Sequence, residues 1–222
     1  FASDKERVNR GRTGIAQFLI GAVRERKQHP TDDLISELLA ARVDGEPVPD
    51  GHIAGMAALT LIAGVDTTWS AIGSALWHLA THPEDRRRLI AEPEMMPLAI
   101  EELLRAYSPV TMARVVTEDV EFKGCPMHAG DKVLLNFPSA NRDPEVFDRP
   151  DEVILDRQQN RHVAFGVGIH RCAGSNLARM ELRVAIEEWL ARIPEFSITE
   201  GGNVTWAGGQ VRGPRTCPVT FG

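Results

Sequence analysis

Cysteine is scarce in this sequence of 222 residues: it occurs three times, at Cys125, Cys172 and Cys217, without a C-x-x-C pair. An odd number of cysteines with no such pair argues against a disulfide framework or a zinc site, and it favours a reducing compartment. We therefore expect a cytoplasmic protein.

Long runs of basic residues are also missing. The chain has 25 Lys and Arg against 31 Asp and Glu, which gives a formal net charge of −6. This balance makes the chain a poor candidate for non-specific nucleic-acid binding, so no nucleic-acid partner is expected. Hydrophobic residues at 43% and charged residues at 25% are typical of a globular protein and exclude general disorder.

No uncharged run is long enough for a membrane span. In the best candidate, residues 53–80, only 13 uncharged residues precede the central Asp66. A span needs roughly 20 apolar residues, and a central carboxylate is costly in lipid, so no membrane partner is expected. The chain starts without Met or an apolar signal segment, which is typical of a sequence entered part-way.

Hydrophobic periodicity and turn residues predict a mainly α-helical fold with small β-sheets. Helices are predicted at residues 8–28, 33–42 (capped by Thr31 or Asp32), 50–81, 83–90, 97–107 and 176–191, the last with an apolar face of Leu177, Met180, Val184 and Leu190. Short strands are predicted at residues 115–116, 120–122 and 132–135. Residues 136–174 show little periodicity, and so long an irregular stretch is more often functional than idle.

The densest chemical signal is F-G-V-G-I-H-R-C-A-G at residues 165–174, directly before the last predicted helix. Its glycines allow a tight turn and a close approach to a flat group. Cys172 lies near the free N–H groups of the helix start, which favour the thiolate, a soft-metal ligand. A single thiolate needs further donors, which a porphyrin supplies. The alternatives are an inert buried cysteine and a cysteine nucleophile with His170 as its base.

A second signal lies inside the long predicted helix, at residues 63–68 (A-G-V-D-T-T). Gly64 costs about 1 kcal/mol relative to Ala, and a Thr can bond to the carbonyl four residues earlier and loosen the helix. The sequence predicts a small polar notch in which Asp66 and Thr67 form an acid–alcohol pair able to relay protons. The alternative is a packing contact with Asp66 in an ion pair.

The loop at residues 165–174 resembles the haem-ligand loop of the cytochrome P-450 superfamily, the haem-thiolate monooxygenases, and residues 63–68 resemble its oxygen-binding signature. The resemblance implies the C-terminal portion of the cytochrome P-450 fold, heme b bound through Cys172, and O2 as the co-substrate. Because family members are longer, we expect residues 1–222 to form a single, incomplete domain that lacks an N-terminal half.

By the same resemblance, Asp66 and Thr67 deliver protons to dioxygen and Gly64 makes room for it. The implied contacts with haem, of which the first three would reach the propionates, are Arg114, His170, His162, Phe165, Gly166 and Ala63.

Glu102 and Arg105 share a helix face at i and i+3, and alone they form an ordinary surface pair. Followed by N-R-D-P at residues 141–144, they resemble the family's buried Glu–Arg–Arg network. Its third member is Arg157, with Arg149 and Arg161 as competing choices. The implied role is structural, because the network fixes the segment that leads into the Cys172 loop.

The resemblance further implies a monooxygenase that inserts one oxygen atom of O2 into a small apolar organic substrate. No flavin or iron–sulfur motif is present, so electrons would come from a ferredoxin or a flavin reductase docked on the proximal face. Arg171 and Arg179 are the preferred docking residues, ahead of the triplet at residues 86–88. Two alternatives stay open: a haem-binding sensor without turnover, and a cysteine-nucleophile hydrolase.

Overall fold

The computed structural model describes residues 5–222. The chain divides into two compact units, one ending at Val65 and the other comprising Asp66–Gly222. The boundary falls inside one long helix, whereas the sequence predicts a single domain.

The first unit is mainly helical. Helix α1 spans Lys5–Gln28 and α2 spans Leu34–Ala40, and a hairpin of β1 (Arg42–Val43) and β2 (Glu46–Pro47) follows. Asp33 caps α2, because its Oδ1 accepts a hydrogen bond of 2.9 Å from the Ser36 amide. The prediction of Thr31 or Asp32 as the cap is wrong, since Thr31 instead donates its hydroxyl to Asp33.

Helix α3 runs without interruption over Asp50–Thr81, the bounds expected from the sequence. By length and composition alone this helix could cross a membrane, and 17% of its most apolar window is buried. Large apolar side chains are exposed along it, among them Leu59 at 69%, Ile62 at 59% and Trp69 at 59%. Among residues 5–222, protein therefore does not surround this helix on every side.

The second unit carries the larger core. Its helices are the end of α3, α4 (Pro83–Ala91), α5 (Met96–Ala106), α6 (Phe137–Ala140) and α7 (Ser175–Arg192), with 3-10 turns at Pro93–Met95 and Gly168–His170. Leu79, Leu103 and Ile186, from three of these helices, are at most 2% exposed and belong to one apolar cluster. The irregular segment 141–174 packs against this cluster through Leu155 and Ala164.

A buried histidine joins the ends of three helices in this unit. His78 Nδ1 lies 2.8 Å from the hydroxyl of Tyr107, and its Nε2 lies 2.8 Å from Asp85. Burial raises the pKa of Tyr107 to about 12. The end of α3 is therefore fixed against α4 and the end of α5.

The strands form small antiparallel pairs. In the second unit β3 (Met112–Val115) pairs with β6 (Lys132–Leu135), β4 (Val120–Phe122) with β5 (Cys125–Met127), β7 (Phe196–Ile198) with β10 (Val219–Phe221), and β8 (Thr205–Ala207) with β9 (Gly213–Thr216). Lys123 and Gly124 have φ of 50° and 78°, as a tight two-residue hairpin between β4 and β5 requires. The structure is mainly α-helical with small sheets, as the sequence predicts.

The apolar face of α7 is not the predicted one. Leu182, Ile186 and Leu190, spaced four residues apart, are at most 6% exposed. Only Leu190 belongs to the predicted set, and its other members are more than half exposed: Leu177, Met180 and Val184. The helix carries apolar residues on two faces, so its periodicity alone does not select the face that packs on the core.

Candidate active site

The cysteine loop is a tight turn held by backbone hydrogen bonds. The Cys172 amide donates to the carbonyl of Phe165 at 2.9 Å. Gly166 and Gly168 have φ of 67° and 73°, in the left-handed region that favours glycine. Cys172 is exposed just ahead of α7. The alternative of an inert buried cysteine is therefore wrong.

The loop offers one sulfur and an apolar surface. Among residues 5–222, no group of three or more His, Cys, Asp or Glu residues is placed to hold a metal ion. On the same loop, Val167 is 69% exposed and Ile169 is 96% exposed. A metal bound by Cys172 would need most of its ligands from a cofactor, and an apolar cofactor face would cover these side chains.

Two expected anion-binding residues are open to solvent. His170 is exposed at the end of the 3-10 turn in the loop. Arg114 is exposed on β3, and its guanidinium donates to the carbonyl of Ala113 at 2.9 Å. Both side chains can bind carboxylate groups of a ligand.

His162 has a different role from the expected one. Its Nε2 lies 2.9 Å from Glu101 Oε2, and its Nδ1 accepts from the Ala164 amide at 3.2 Å. The side chain is 4% exposed. Because both ring nitrogens are engaged within the protein, His162 holds the loop to α5, and its expected contact with a propionate stays a prediction.

Glu101 links α5 to the cysteine loop and to α7. Arg179 of α7 donates to both its carboxylate oxygens, at 2.6 and 2.9 Å, and lies 4.6 Å from the ring centre of Phe165. Burial acts to raise the pKa of Glu101, but hydrogen bonds from Arg179 and His162 outweigh it and lower the pKa to about 2. Sequence reasoning missed Glu101, because no local pattern relates it to a partner 78 positions away.

Glu102, the next residue, is the centre of a buried ion network. Arg105 donates Nε and Nη2 to its two oxygens at 2.8 Å each, and Arg157 donates Nε at 3.0 Å. All three residues are at most 8% exposed. Both arginines also donate to carbonyls between residues 141 and 152. Arg149, a competing choice, instead pairs with Glu152. The network fixes the irregular segment to α5.

The signature in α3 is a regular stretch of helix. Ala63 and Gly64 precede Asp66 and Thr67 without a break, and a Cβ added at Gly64 would meet nothing within 4 Å. The predicted notch is therefore not a local unwinding. Asp66 forms an ion pair, the alternative that the sequence left open. Its partner is Arg215 of β9, with Nη1 2.5 Å from Oδ1 and Nη2 3.2 Å from Oδ2.

Most of the basic residues expected at a docking face are engaged within the chain. Arg179 is bound to Glu101, and Arg86 is 3% exposed with its guanidinium on two backbone carbonyls and a carboxylate. Arg88 binds a carboxylate at 2.7 Å. Arg86 is therefore structural, which corrects the expectation of a docking role for this residue, whereas the docking role of Arg179 stays a prediction. Arg171 is exposed and remains a candidate for docking an electron-transfer partner.

A family model described as Cytochrome P-450 matches residues 2–200. The chain belongs to the cytochrome P-450 family. One P-450 relative is the probable cytochrome P-450 127A1 of Sinorhizobium fredii, 40% identical over 207 residues that cover 93% of this chain and 50% of the relative. Another is the steroid C26-monooxygenase of Mycolicibacterium smegmatis, 39% identical over 207 residues that cover 92% and 52%.

Solved P-450 structures share the fold. PksS of Bacillus subtilis matches with a TM-score of 0.92 and 34% identity, over 99% of this chain and 58% of that one. CYP109E1 from Bacillus megaterium, crystallised with testosterone, matches with a TM-score of 0.88 and 34% identity, over 93% and 58%. The chain thus has the fold of part of a cytochrome P-450, and it spans about half the length of the curated relatives that it matches.

Cytochrome P-450 proteins bind haem, and the residues described here fit it. Cys172 offers one exposed sulfur, and a porphyrin brings the remaining equatorial donors itself. The exposed apolar surface of Val167 and Ile169 suits a porphyrin face. The exposed His170 and Arg114 suit its propionates. In a P-450 of this sequence, Cys172, His170 and Arg114 are the residues that would hold the haem.

Proposed function

We propose that this chain carries the haem-binding portion of a monooxygenase that inserts one oxygen atom of O2 into a small apolar organic substrate. The observation that carries the proposal is the exposed Cys172 in its glycine-bounded loop, with no competing metal cluster among residues 5–222. Family membership supports the same reaction class, since a relative at 39% identity is named a steroid C26-monooxygenase.

The residues of the site have separate tasks in this proposal. Cys172 ligates the haem iron, and Arg114 and His170 hold the propionates. Haem, when bound, supplies the binding and reductive activation of O2. The network around Glu102 and the pair of Glu101 with Arg179 keep the loop and α7 in fixed positions, so that the sulfur is presented without rearrangement.

Asp66 and Thr67 hold and pass protons. A proton taken from water resides on the carboxyl of Asp66 and passes to the hydroxyl of Thr67, which releases its own proton towards the reacting oxygen. The open space above Gly64, where an added Cβ meets no atom within 4 Å, leaves room for a small molecule beside Ala63.

The substrate class follows from the apolar surface of α3 and from the relatives. Leu59 and Ile62 expose apolar side chains within two turns of Asp66. The names of two relatives state a steroid and vitamin D(3) as their substrates, and both are apolar molecules. We propose an apolar organic substrate for the whole protein.

The electrons are proposed to come from a ferredoxin or a flavin reductase. Arg171 presents an exposed cation next to Cys172, which suits an acidic partner docking on the proximal side. Cys125 and Cys172 are exposed, unpaired thiols. Such thiols suit the reducing conditions of the cytoplasm, the location that we propose.

The ligand assignment is tested by the absorbance of the ferrous protein with carbon monoxide. The wild-type protein is expected to show the red-shifted Soret band of a haem–thiolate complex. Cys172→Ala is expected to lose this band. The matched control is Cys125→Ala, since Cys125 is also an exposed thiol but lies outside the site, and its removal should leave the band unchanged. Retention of the band in Cys172→Ala would refute the assignment.

Measurement of substrate turnover distinguishes a monooxygenase from a haem-binding sensor. A monooxygenase is expected to hydroxylate a substrate in an oxygen-dependent reaction, and Thr67→Ala is expected to divert reducing equivalents to peroxide. Thr60→Ala is the matched control, because Thr60 lies on the same helix with its hydroxyl bound to the Met56 carbonyl at 2.9 Å. Haem binding without turnover would favour the sensor, and a colourless protein with an alkylatable Cys172 would favour the hydrolase.

A further inference from the structure

Four residues on one face of α3 contact the C-terminal hairpin formed by β8 and β9. They are Asp66, Ser70, Gly73 and Trp77, which follow the i, i+4, i+7, i+11 spacing of one helix face. Each member meets one residue of the hairpin: Arg215, Gly213, Pro214 and Trp206 respectively. We call these eight residues the hairpin seam.

The seam is closely packed at its centre. A Cβ added to Gly213 would lie 2.4 Å from Ser70 Cβ and 2.8 Å from Ser70 Cα, so only glycine allows β9 to approach the helix this closely. A Cβ added to Gly73 would lie 2.9 Å from Cγ of Pro214. At the far end the rings of Trp77 and Trp206 meet edge to face, with centroids 5.2 Å apart.

This packing determines where Arg215 points. Gly213 and Arg215 lie two residues apart on β9, and the pairing of β9 with β8 shifts at Arg215, because Trp206 pairs with Pro214 and Thr205 with Thr216. Ser70 and Asp66 are four residues apart on one helix face, about 6 Å apart. The strand that holds Gly213 against Ser70 therefore also brings Arg215 to Asp66, about one helical turn away.

The ion pair at the end of the seam is bidentate. One guanidinium binds both oxygens of Asp66, and the Arg215 side chain is 23% exposed while Asp66 is 46% exposed. Two donors on a planar fork fix the rotation of a carboxylate as well as its position. A carboxyl group that passes protons to Thr67 needs such a fixed orientation, because proton transfer depends on heavy-atom geometry.

We propose that Arg215 is the positioning residue for Asp66, and that the hairpin seam aligns the carboxyl group that passes protons to Thr67. The inference rests on the proposed proton relay. Arg215 touches neither substrate nor haem in this role and acts through Asp66. Movement of the hairpin would therefore change proton delivery without any change in the relay residues themselves.

The test compares Arg215→Met with Arg215→Lys in the haem-loaded protein, with Arg212→Met as the control from the same hairpin. Arg212 is exposed and stacks on Trp206 rather than binding Asp66. Arg215→Met is expected to raise the share of electrons released as peroxide about 3- to 10-fold, with Arg215→Lys intermediate and Arg212→Met unchanged. The carbon monoxide Soret band is expected to stay unchanged in all three variants.

Two further measurements distinguish a failure of the positioning role of Arg215 from a failure of the proton relay. In an Asp66→Asn background, Arg215→Met is expected to change neither the peroxide share nor the thermal midpoint any further, because the pair is already broken. If Asp66→Asn raises peroxide but Arg215→Met does not, the positioning role is overturned while the relay stands. If Asp66→Asn leaves peroxide unchanged, the relay itself fails, and the inference fails with it.

Discussion

Two adjacent glutamates on α5 serve different partners. Glu102 is fully buried and binds Arg105 and Arg157, whereas Glu101 binds Arg179 and His162. The sequence pattern pointed to Glu102 because its first partner is three residues away on the same helix. Glu101 could not be found in this way, since its partners become neighbours only after α7 and the loop have packed.

Acid unfolding should reveal the Glu101 ion pair. At neutral pH, Glu101→Gln is expected to lower the free energy of unfolding by about 2 kcal/mol. The pKa of about 2 lies below the ordinary value of 4.5, so the ionised carboxylate stabilises the fold above pH 4.5 and this contribution is lost as pH falls through 2. Urea titrations of the haem-loaded protein should show the two proteins converging across that window. A constant difference would contradict the pair.

Loss of the Glu102 carboxylate should be more damaging. Glu102→Gln leaves two buried guanidinium groups without their anion, and it is expected to destabilise the fold by about 3–5 kcal/mol. The same change at the exposed Glu181 of α7 is the matched control, with an effect within about 0.5 kcal/mol. Equal unfolding midpoints for the two variants in urea would show that the network adds no stability.

At the scale of elements, helix bounds were predictable and helix faces were not. Pro83 and the Pro49–Asp50 step mark the limits of α3, and proline stops of this kind act through local sterics. The face of α7 depends on what packs against it, so two apolar faces in one sequence cannot be ranked before the core is known. The hairpin seam is a further example, since Asp66 and Arg215 are 149 positions apart.

Alanine substitutions should identify the packed face of α7. Leu182→Ala truncates a side chain that is 1% exposed and is expected to lower the free energy of unfolding by about 2–5 kcal/mol. Leu177→Ala, at a side chain that is 54% exposed, is expected to lower the free energy of unfolding much less. Thermal or urea unfolding of both variants decides between the faces. The reverse order would restore the face predicted from sequence.

The close approach of β9 to α3 gives a second prediction at this scale. Gly213→Ala places a methyl group 2.4 Å from Ser70 Cβ and is expected to destabilise the second unit by about 1–3 kcal/mol. Gly208→Ala, whose added Cβ meets nothing within 4 Å, is expected to be close to neutral. Unfolding midpoints that are equal for both variants would exclude a packed seam.

At the scale of the whole molecule, the exposed apolar surface of α3 stands out. Leu59, Ile62 and Val65 are each more than half exposed. The chain also spans about half the length of the curated relatives that it matches. The motifs were sufficient to predict the family and the arrangement of most elements. They did not predict the division at Val65, because compactness depends on the sum of contacts and not on any motif.

The 222-residue chain produced alone is therefore expected to bind a fluorescent apolar dye strongly. Contiguous apolar surface of this kind is uncommon on a monomeric soluble protein. Replacement of Leu59 and Ile62 together by Gln should lower the dye fluorescence, while the same replacement of the buried pair Leu182 and Ile186 should raise it by loosening the core. No dye binding by the unaltered chain would show that α3 is covered in solution.

The tight contact of Gly213 with Ser70 also restricts insertions and deletions near the end of the chain. Arg215 is an extra residue on β9, since Trp206 pairs with Pro214 and Thr205 with Thr216, so removing or adding one residue between Gly213 and Arg215 would turn the guanidinium away from Asp66. A family member that keeps Arg215 but varies here would lose the pairing through spacing alone, with every chemical group still present.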